Sequence, residues 1–129
     1  PQFFEHAKAP RNIGELPRPD ARATHGDSGC HDELELTMVV RNDVIEHIAY
    51  IPRWCVMTLT CASAATTLAR GKKVVDARRT VTADAINEEL GGLPDSHYHC
   101  AELAEAAIRK LLDDYIMGSR EPWKRMYRT

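Results

Sequence analysis

The sequence predicts one α+β domain, with helices packed on one face of a small antiparallel sheet of about three strands. Three observations favour this fold class. Apolar and polar residues alternate over residues 32–41, a turn-forming pair follows, and the chain after residue 55 is rich in alanine and other helix formers. A chain of 129 residues can bury a core without disulfide support. We therefore assign residues 1–129 to a single domain, with roughly the last ten residues as a candidate tail.

The strands are predicted from alternation and from the residues that interrupt it. Residues 32–41 carry an apolar side chain at every second position, which is the pattern of a half-buried strand. The pair Asn42-Asp43 tolerates positive φ and predicts a tight turn into a returning strand over residues 44–51, which Pro52 ends. An earlier strand is predicted over residues 21–25.

The second half of the chain predicts helices. The clearest covers residues 100–117, where apolar residues recur at helical spacing. Another covers residues 56–70 and ends at Gly71, since glycine suits the left-handed position after a helix. Thr82 is a natural N-cap for a shorter helix. The remaining helical segments are predicted over residues 3–8, 74–79 and 82–90.

Composition and charge exclude several classes of protein. The net charge of −2 does not predict a general nucleic-acid surface, and the basic residues near the end of the chain are typical of a solvated terminus. The chain has no apolar run near the ~20 residues that span a bilayer. It also lacks a charged and then apolar signal segment at its start. We expect a cytoplasmic protein that binds neither membrane nor nucleic acid.

Three of the four cysteines lie at separated predicted turns, and two of them have neighbours that can bind metal. Two disulfides in any of three pairings are an alternative, but a chain kept in a reducing compartment favours thiols as metal ligands. Three thiolates with one imidazole or carboxylate match the ligand count of a tetrahedral zinc or iron–sulfur site. The three segments are Cys30-His31-Asp32, Cys55 and His97-Tyr98-His99-Cys100.

The placement of these thiols bears on their reactivity. Cys55 and Cys100 each precede or open a predicted helix, where unpaired N–H groups stabilise the thiolate. Cys61 lies inside a predicted helix and is interpreted as structural. His99 is interpreted either as a ligand or proton-handling group or as a helix-capping neighbour. His31 and His97 are interpreted as exposed or supporting residues, and no role is assigned to the other histidines, which are His6, His25 and His47.

Several motifs, in the same order along the chain, resemble one known family. They are Pro10-Arg11-Asn12-Ile13-Gly14, Cys30 with Asp32, Cys61-Ala62-Ser63-Ala64 followed by Gly71-Lys72, Glu89-Leu90-Gly91-Gly92-Leu93-Pro94, and His99-Cys100-Ala101-Glu102-Leu103-Ala104-Glu105. Together they resemble the iron–sulfur cluster assembly scaffolds of the NifU/IscU type over nearly the whole chain.

The resemblance implies a scaffold rather than an enzyme. It implies that Cys30, Cys55 and Cys100 hold a transient 2Fe-2S cluster, with Asp32 as a fourth ligand or a neighbour that tunes lability, and with His99 as an alternative ligand. It further implies a cysteine desulfurase that delivers sulfur as a persulfide, for which Cys100 is the expected acceptor. Iron would be held by the same site, and the finished cluster would pass to apo iron–sulfur acceptor proteins.

The sequence departs from the family pattern at four places. His31 and Trp54 stand where the family carries glycine, and Cys61 stands where it usually carries serine. The segment Leu93-Pro94-Asp95-Ser96-His97 stands where the family has its chaperone-recognition stretch, which argues against handover by a dedicated Hsp70-type chaperone.

Two other functions fit the same residues. The first is a zinc-binding, sulfurtransferase-like sulfur acceptor, in which the four ligands Cys30, Asp32, Cys55 and Cys100 bind zinc and one thiolate is displaced to take sulfur. The second is a divergent relative that keeps the fold but assembles no cluster. The sequence leaves the oligomeric state open, a homo-oligomer included.

Overall fold

The structure, a computed structural model, describes residues 6, 12–27, 32–53, 56–94 and 97–120. Within these residues it contains three strands and then four helices. They are β1 (Ala21–Asp27), β2 (Asp32–Arg41), β3 (Val44–Arg53), α1 (Val56–Ala69), α2 (Val74–Thr80), α3 (Ala83–Glu89) and α4 (Tyr98–Arg120). The strands form one antiparallel sheet in the order β1-β2-β3. The predicted α+β class and the three-stranded sheet are confirmed.

The turn between β2 and β3 is a tight hairpin. Arg41 pairs with Val44, so only two residues connect the strands. Asn42 and Asp43 both have positive φ, 54° and 64°, as a type I′ turn requires. The pairing register shifts between Val39 and Val40, where the alternation of side chains is interrupted.

The prediction that Pro52 ends β3 is wrong, because β3 continues to Arg53 and Pro52 pairs with Leu34. Proline is tolerated there because β3 lies at the edge of the sheet. The N–H of Tyr50 points outward and donates to the carbonyl of Asn12 at 3.0 Å. The nitrogen of Pro52, two residues later, faces the same outer side, where the sheet needs no donor.

The core lies between the sheet and the helices. Helix α1 packs against β3, and helix α4 packs against β1, β2 and α1. The apolar side chains of β2 that were predicted to share a face are buried there, and Val40 is partly buried at its end. The buried members from this strand are Leu34, Leu36 and Met38.

The opposite face of the sheet is crossed by residues 12–20. Gly14 donates to the carbonyl of Tyr50 at 2.9 Å, and the N–H of Leu16 donates to Oγ1 of Thr37 at 3.1 Å. The segment then reaches β2 again, where Val40 donates to Asp20 at 2.8 Å. These contacts bury Thr37, which is 1% exposed although it faces away from the helices.

Helix ends follow the capping signals. Thr82 accepts a hydrogen bond from the N–H of Ala85 at 3.1 Å, which confirms it as the N-cap of α3. Gly71, with φ +87°, follows α1 as predicted. The last helix begins at Tyr98, two residues before the predicted start. Within the described ranges, no helix combines the length and apolar character needed to cross a bilayer.

Candidate functional site

The structure describes only part of the predicted ligand set. Cys30 and Cys55, with their neighbours His31 and Trp54, lie outside the described residues. Asp32 opens β2, and its side chain also lies outside the described part of the chain. Among the described residues, His, Cys, Asp and Glu side chains form no group of three or more that could hold a metal ion. The complete ligand set therefore stays a prediction.

The described strand ends that flank these cysteines meet at one end of the sheet. Asp27, the last residue of β1, pairs with Asp32, the first residue of β2. Glu33 pairs with Arg53, the last residue of β3. Helix α1 begins at Val56. The connection that contains Cys30 thus starts and ends at these paired strand ends, and the one that contains Cys55 starts there.

Cys100 lies in the first turn of α4 and is buried, with 1% of its surface exposed. Nε2 of His99 lies 3.5 Å from Sγ of Cys100. An imidazole at this distance can accept the thiol proton, and an adjacent imidazolium stabilises the thiolate. The pair also offers one soft sulfur and one nitrogen donor, which suit iron and zinc. The sequence predicted the turn but not the burial of the thiol.

The first turn of α4 is attached to the first turn of α3. The hydroxyl of Tyr98 donates a hydrogen bond to Oδ1 of Asp84. This hydrogen bond is the main reason that the pKa of Tyr98 rises to about 12. Two turns further along α4, Oε1 of Glu105 accepts a hydrogen bond from the N–H of Ala83 at 2.6 Å. Helix α4 therefore binds the beginning of α3 at two points, one before Cys100 and one after it.

His97 is half-buried, and its ring centroid lies 6.5 Å from that of His99, with the ring planes tilted by 33°. His97 is therefore a neighbour of His99, the imidazole that lies beside the thiol of Cys100. This arrangement fits the interpretation of His97 as a supporting residue, although its ligand role is untested.

His6 was given no role from sequence, yet it is buried at the centre of a polar contact. It is 1% exposed, with Nδ1 at 2.6 Å from Oγ of Ser63 and Nε2 at 3.2 Å from Oε2 of Glu89. These contacts join the start of the chain to α1 and to the end of α3. Burial raises the pKa of nearby Tyr50 to about 12, and the hydroxyl of Ser63 acts in the opposite direction.

Cys61 is fully buried among the apolar side chains of the core. This position confirms the interpretation of Cys61 as a core residue. The sequence signal was its place inside a helix of small residues rather than at a turn.

Comparison with known proteins gives one consistent result. The family model of the NifU-like N terminal domain matches residues 1–121. The iron–sulfur cluster assembly scaffold protein IscU 1 of Archaeoglobus fulgidus is 36% identical over 115 residues, which cover 89% of this chain and 74% of that protein. The corresponding IscU protein of Aquifex aeolicus is 32% identical over 118 residues, which cover 90% of this chain and 74% of that protein.

A solved structure shows the same fold. The crystal structure of the N-terminal part of a nitrogen-fixing NifU-like protein from Brucella abortus matches with a TM-score of 0.70 at 19% identity, over 90% of this chain and 92% of that one. Because the family model spans almost the whole chain and the sequence relatives exceed 30% identity, the resemblance noted from the motifs is confirmed. The chain belongs to the NifU-like N-terminal domain family.

Proposed function

We propose that this protein is a scaffold on which an iron–sulfur cluster is assembled and from which it is transferred. The observation that carries the proposal is the 36% identity, over 89% of this chain, to a protein named as a cluster assembly scaffold. The thiol of Cys100, with an imidazole nitrogen 3.5 Å away, supplies chemistry suited to that role.

Chain geometry supports a shared site for Cys30 and Cys55. Cys30 comes three residues before Glu33, and Cys55 comes two residues after Arg53. Glu33 and Arg53 are paired across the sheet. Because an extended chain spans at most ~3.6 Å per residue, both connections are short enough to allow the two thiols to meet near this strand pair. In the proposed site, the first turn of α4 adds Cys100.

The cargo is a two-iron cluster held by three thiolates and the oxygen of Asp32, with His99 as the alternative fourth ligand. Iron in such clusters is bound by soft thiolates, so one harder oxygen or nitrogen ligand lowers the affinity of the protein for the cluster. A protein that transfers its cluster to an acceptor requires this weaker binding. The proposed role is therefore cluster assembly and transfer rather than electron transfer.

Sulfur would arrive as a persulfide on a partner cysteine desulfurase. The thiolate of Cys100 would attack the outer sulfur of that persulfide, so that a new S–S bond forms on Cys100 while the donor's S–S bond breaks. The donor leaves as a thiolate, and the exchange needs no external oxidant or reductant. His99 would take the proton of Cys100 before the attack. Apo iron–sulfur proteins would then receive the cluster.

The test is anaerobic reconstitution with a cysteine desulfurase, cysteine, ferrous iron and a thiol reductant that converts persulfide sulfur to sulfide, followed by Mössbauer spectroscopy and acid-labile sulfide analysis. The proposal predicts a two-iron cluster with equal amounts of iron and sulfide, which transfers to an apo ferredoxin. The matched control is Cys61→Ser, a thiol buried in the core, which should leave the yield unchanged. A colourless protein that contains zinc and accepts sulfur without iron would instead identify a zinc-binding sulfur acceptor. A protein that accepts neither sulfur nor iron would identify a relative without assembly activity.

A further inference from the structure

The first turn of α3 is joined to α4 by two hydrogen bonds that lie on either side of the candidate thiol. Tyr98 and Glu105 are seven residues apart, which is two helical turns, so they share one face of α4. Tyr98 donates to Asp84, and Glu105 accepts from the N–H of Ala83. Both acceptors are carboxylates, which form the stronger class of hydrogen bond.

These bonds fix the rotation of the first turns of α4 about the helix axis. Cys100 lies two residues after Tyr98 and is turned into the core, where it is 1% exposed. A nucleophile that meets a persulfide must become accessible, and a buried one becomes accessible only when its segment opens locally. The stability of the attachment between α3 and α4 therefore determines how often Sγ of Cys100 becomes accessible to a reagent or partner.

We propose that Tyr98 and Asp84 are positioning residues, which hold the first turn of α4 so that Cys100 stays buried beside His99. The consequence for sulfur acceptance rests on the function proposed above, whereas the effect on burial of the thiol does not. The side chain of Tyr98 is half-buried and its hydrogen bond to Asp84 lies at the surface, so the hydroxyl is not needed to fill the core.

The experiment measures the alkylation rate of each cysteine with iodoacetamide in metal-free protein, by quantitative peptide mass spectrometry. The variants are Tyr98→Phe, Asp84→Ala and the double variant. Cys61 is the internal control, because it is as buried as Cys100 but distant in sequence from the attachment. Global unfolding would raise both rates, whereas local opening raises the rate of Cys100 alone.

Each single variant should raise the alkylation rate of Cys100 by about fivefold, because this bond lies at the surface, where water reduces the net strength even of a bond to a carboxylate. The double variant should show no further increase, because both substitutions remove the same bond. Asp84→Asn keeps an acceptor oxygen, so its Cys100 alkylation rate should stay within about twofold of that of the unmodified protein. An unchanged Cys100 rate, a parallel rise at Cys61, or additive single effects would overturn the proposal.

A second measurement follows persulfide transfer from a cysteine desulfurase at several scaffold concentrations. Because the thiolate reacts only when its segment opens, Tyr98→Phe should raise the maximal rate about fivefold and leave the half-saturating concentration unchanged. A change in the half-saturating concentration alone would place Tyr98 in partner binding and overturn its positioning role. If the unmodified protein accepts no sulfur, the proposed function fails, and the alkylation rates still decide the role of Tyr98 and Asp84.

Discussion

Two tyrosines share a raised pKa for different physical reasons. Burial in the core raises the pKa of Tyr50 to about 12, and a hydrogen bond to Asp84 raises that of Tyr98 to about 12. The folded protein therefore favours the neutral phenols. Their contribution to stability is complete below the ordinary pKa of 10 and is lost as the pH rises from 10 to about 12.

The phenolate absorbance of the protein, followed as the pH is raised, tests whether the pKa values of Tyr50 and Tyr98 are raised. Tyr50→Phe and Tyr98→Phe should each remove one phenol that ionises late in an alkaline titration. The expectation for Tyr98 is wrong if Tyr98→Phe removes a phenol that titrates at the ordinary value.

Single residues also show where sequence reasoning ends. His6 received no role because nothing in the sequence indicates that residue 6 reaches Ser63 and Glu89. The same applies to Tyr98 and Asp84, which meet only after α3 and α4 pack. Cys100 and His99 could be singled out because a thiol beside an imidazole is a local signal. Contacts between distant polar residues have no such signal.

The buried contact of His6 predicts a large effect on stability. His6→Ala leaves Ser63 and Glu89 without this partner, and it should lower the free energy of unfolding by about 2 kcal/mol. The exposed His47→Ala is the matched control and should change it by less than about 0.5 kcal/mol. Urea unfolding measures both. Equal effects for the two variants would contradict the assigned role of His6.

At the scale of secondary structure, the strongest patterns gave the best predictions. The bounds of β2 are those predicted, because apolar residues at every second position from Leu34 to Val40 match the period of a strand and not that of a helix. The end of β3 was misplaced because proline is unfavourable only where the sheet needs its N–H, and the sequence does not reveal which strand is at the edge. The predicted start of α4 is two residues late, because the apolar pattern that located this helix begins only after residue 100.

The hairpin between β2 and β3 offers a prediction at this scale. Asp43 has φ 64°, a conformation that costs free energy for any residue with a Cβ. Asp43→Gly should therefore raise the free energy of unfolding by about 0.5–1 kcal/mol, since the Asn-Gly pair is favoured in type I′ turns. The carbonyl of residue 43 still accepts from Val74, so that bond is kept. A lower urea midpoint for Asp43→Gly would contradict this account of the turn.

At the scale of the whole molecule, the fold brings the flanks of distant sequence segments together. The residues that flank Cys30 and Cys55 are paired at one end of the sheet, although the two cysteines are 25 positions apart in the sequence. The motifs identified the family and the candidate ligands. They could not predict that Cys100 is buried, because burial depends on how α4 packs on the sheet and on α1.

The central claim is that Cys30, Cys55 and Cys100 converge on one site. Titration of the anaerobic, metal-free protein with cobalt(II) tests it most directly, because thiolate ligands give charge-transfer bands whose intensity follows their number. At saturating cobalt, Cys30→Ser, Cys55→Ser and Cys100→Ser should each lower the intensity by about one third, because each removes one of three thiolates. Cys61→Ser should leave it unchanged. An unchanged spectrum for any of the first three variants would contradict the claim.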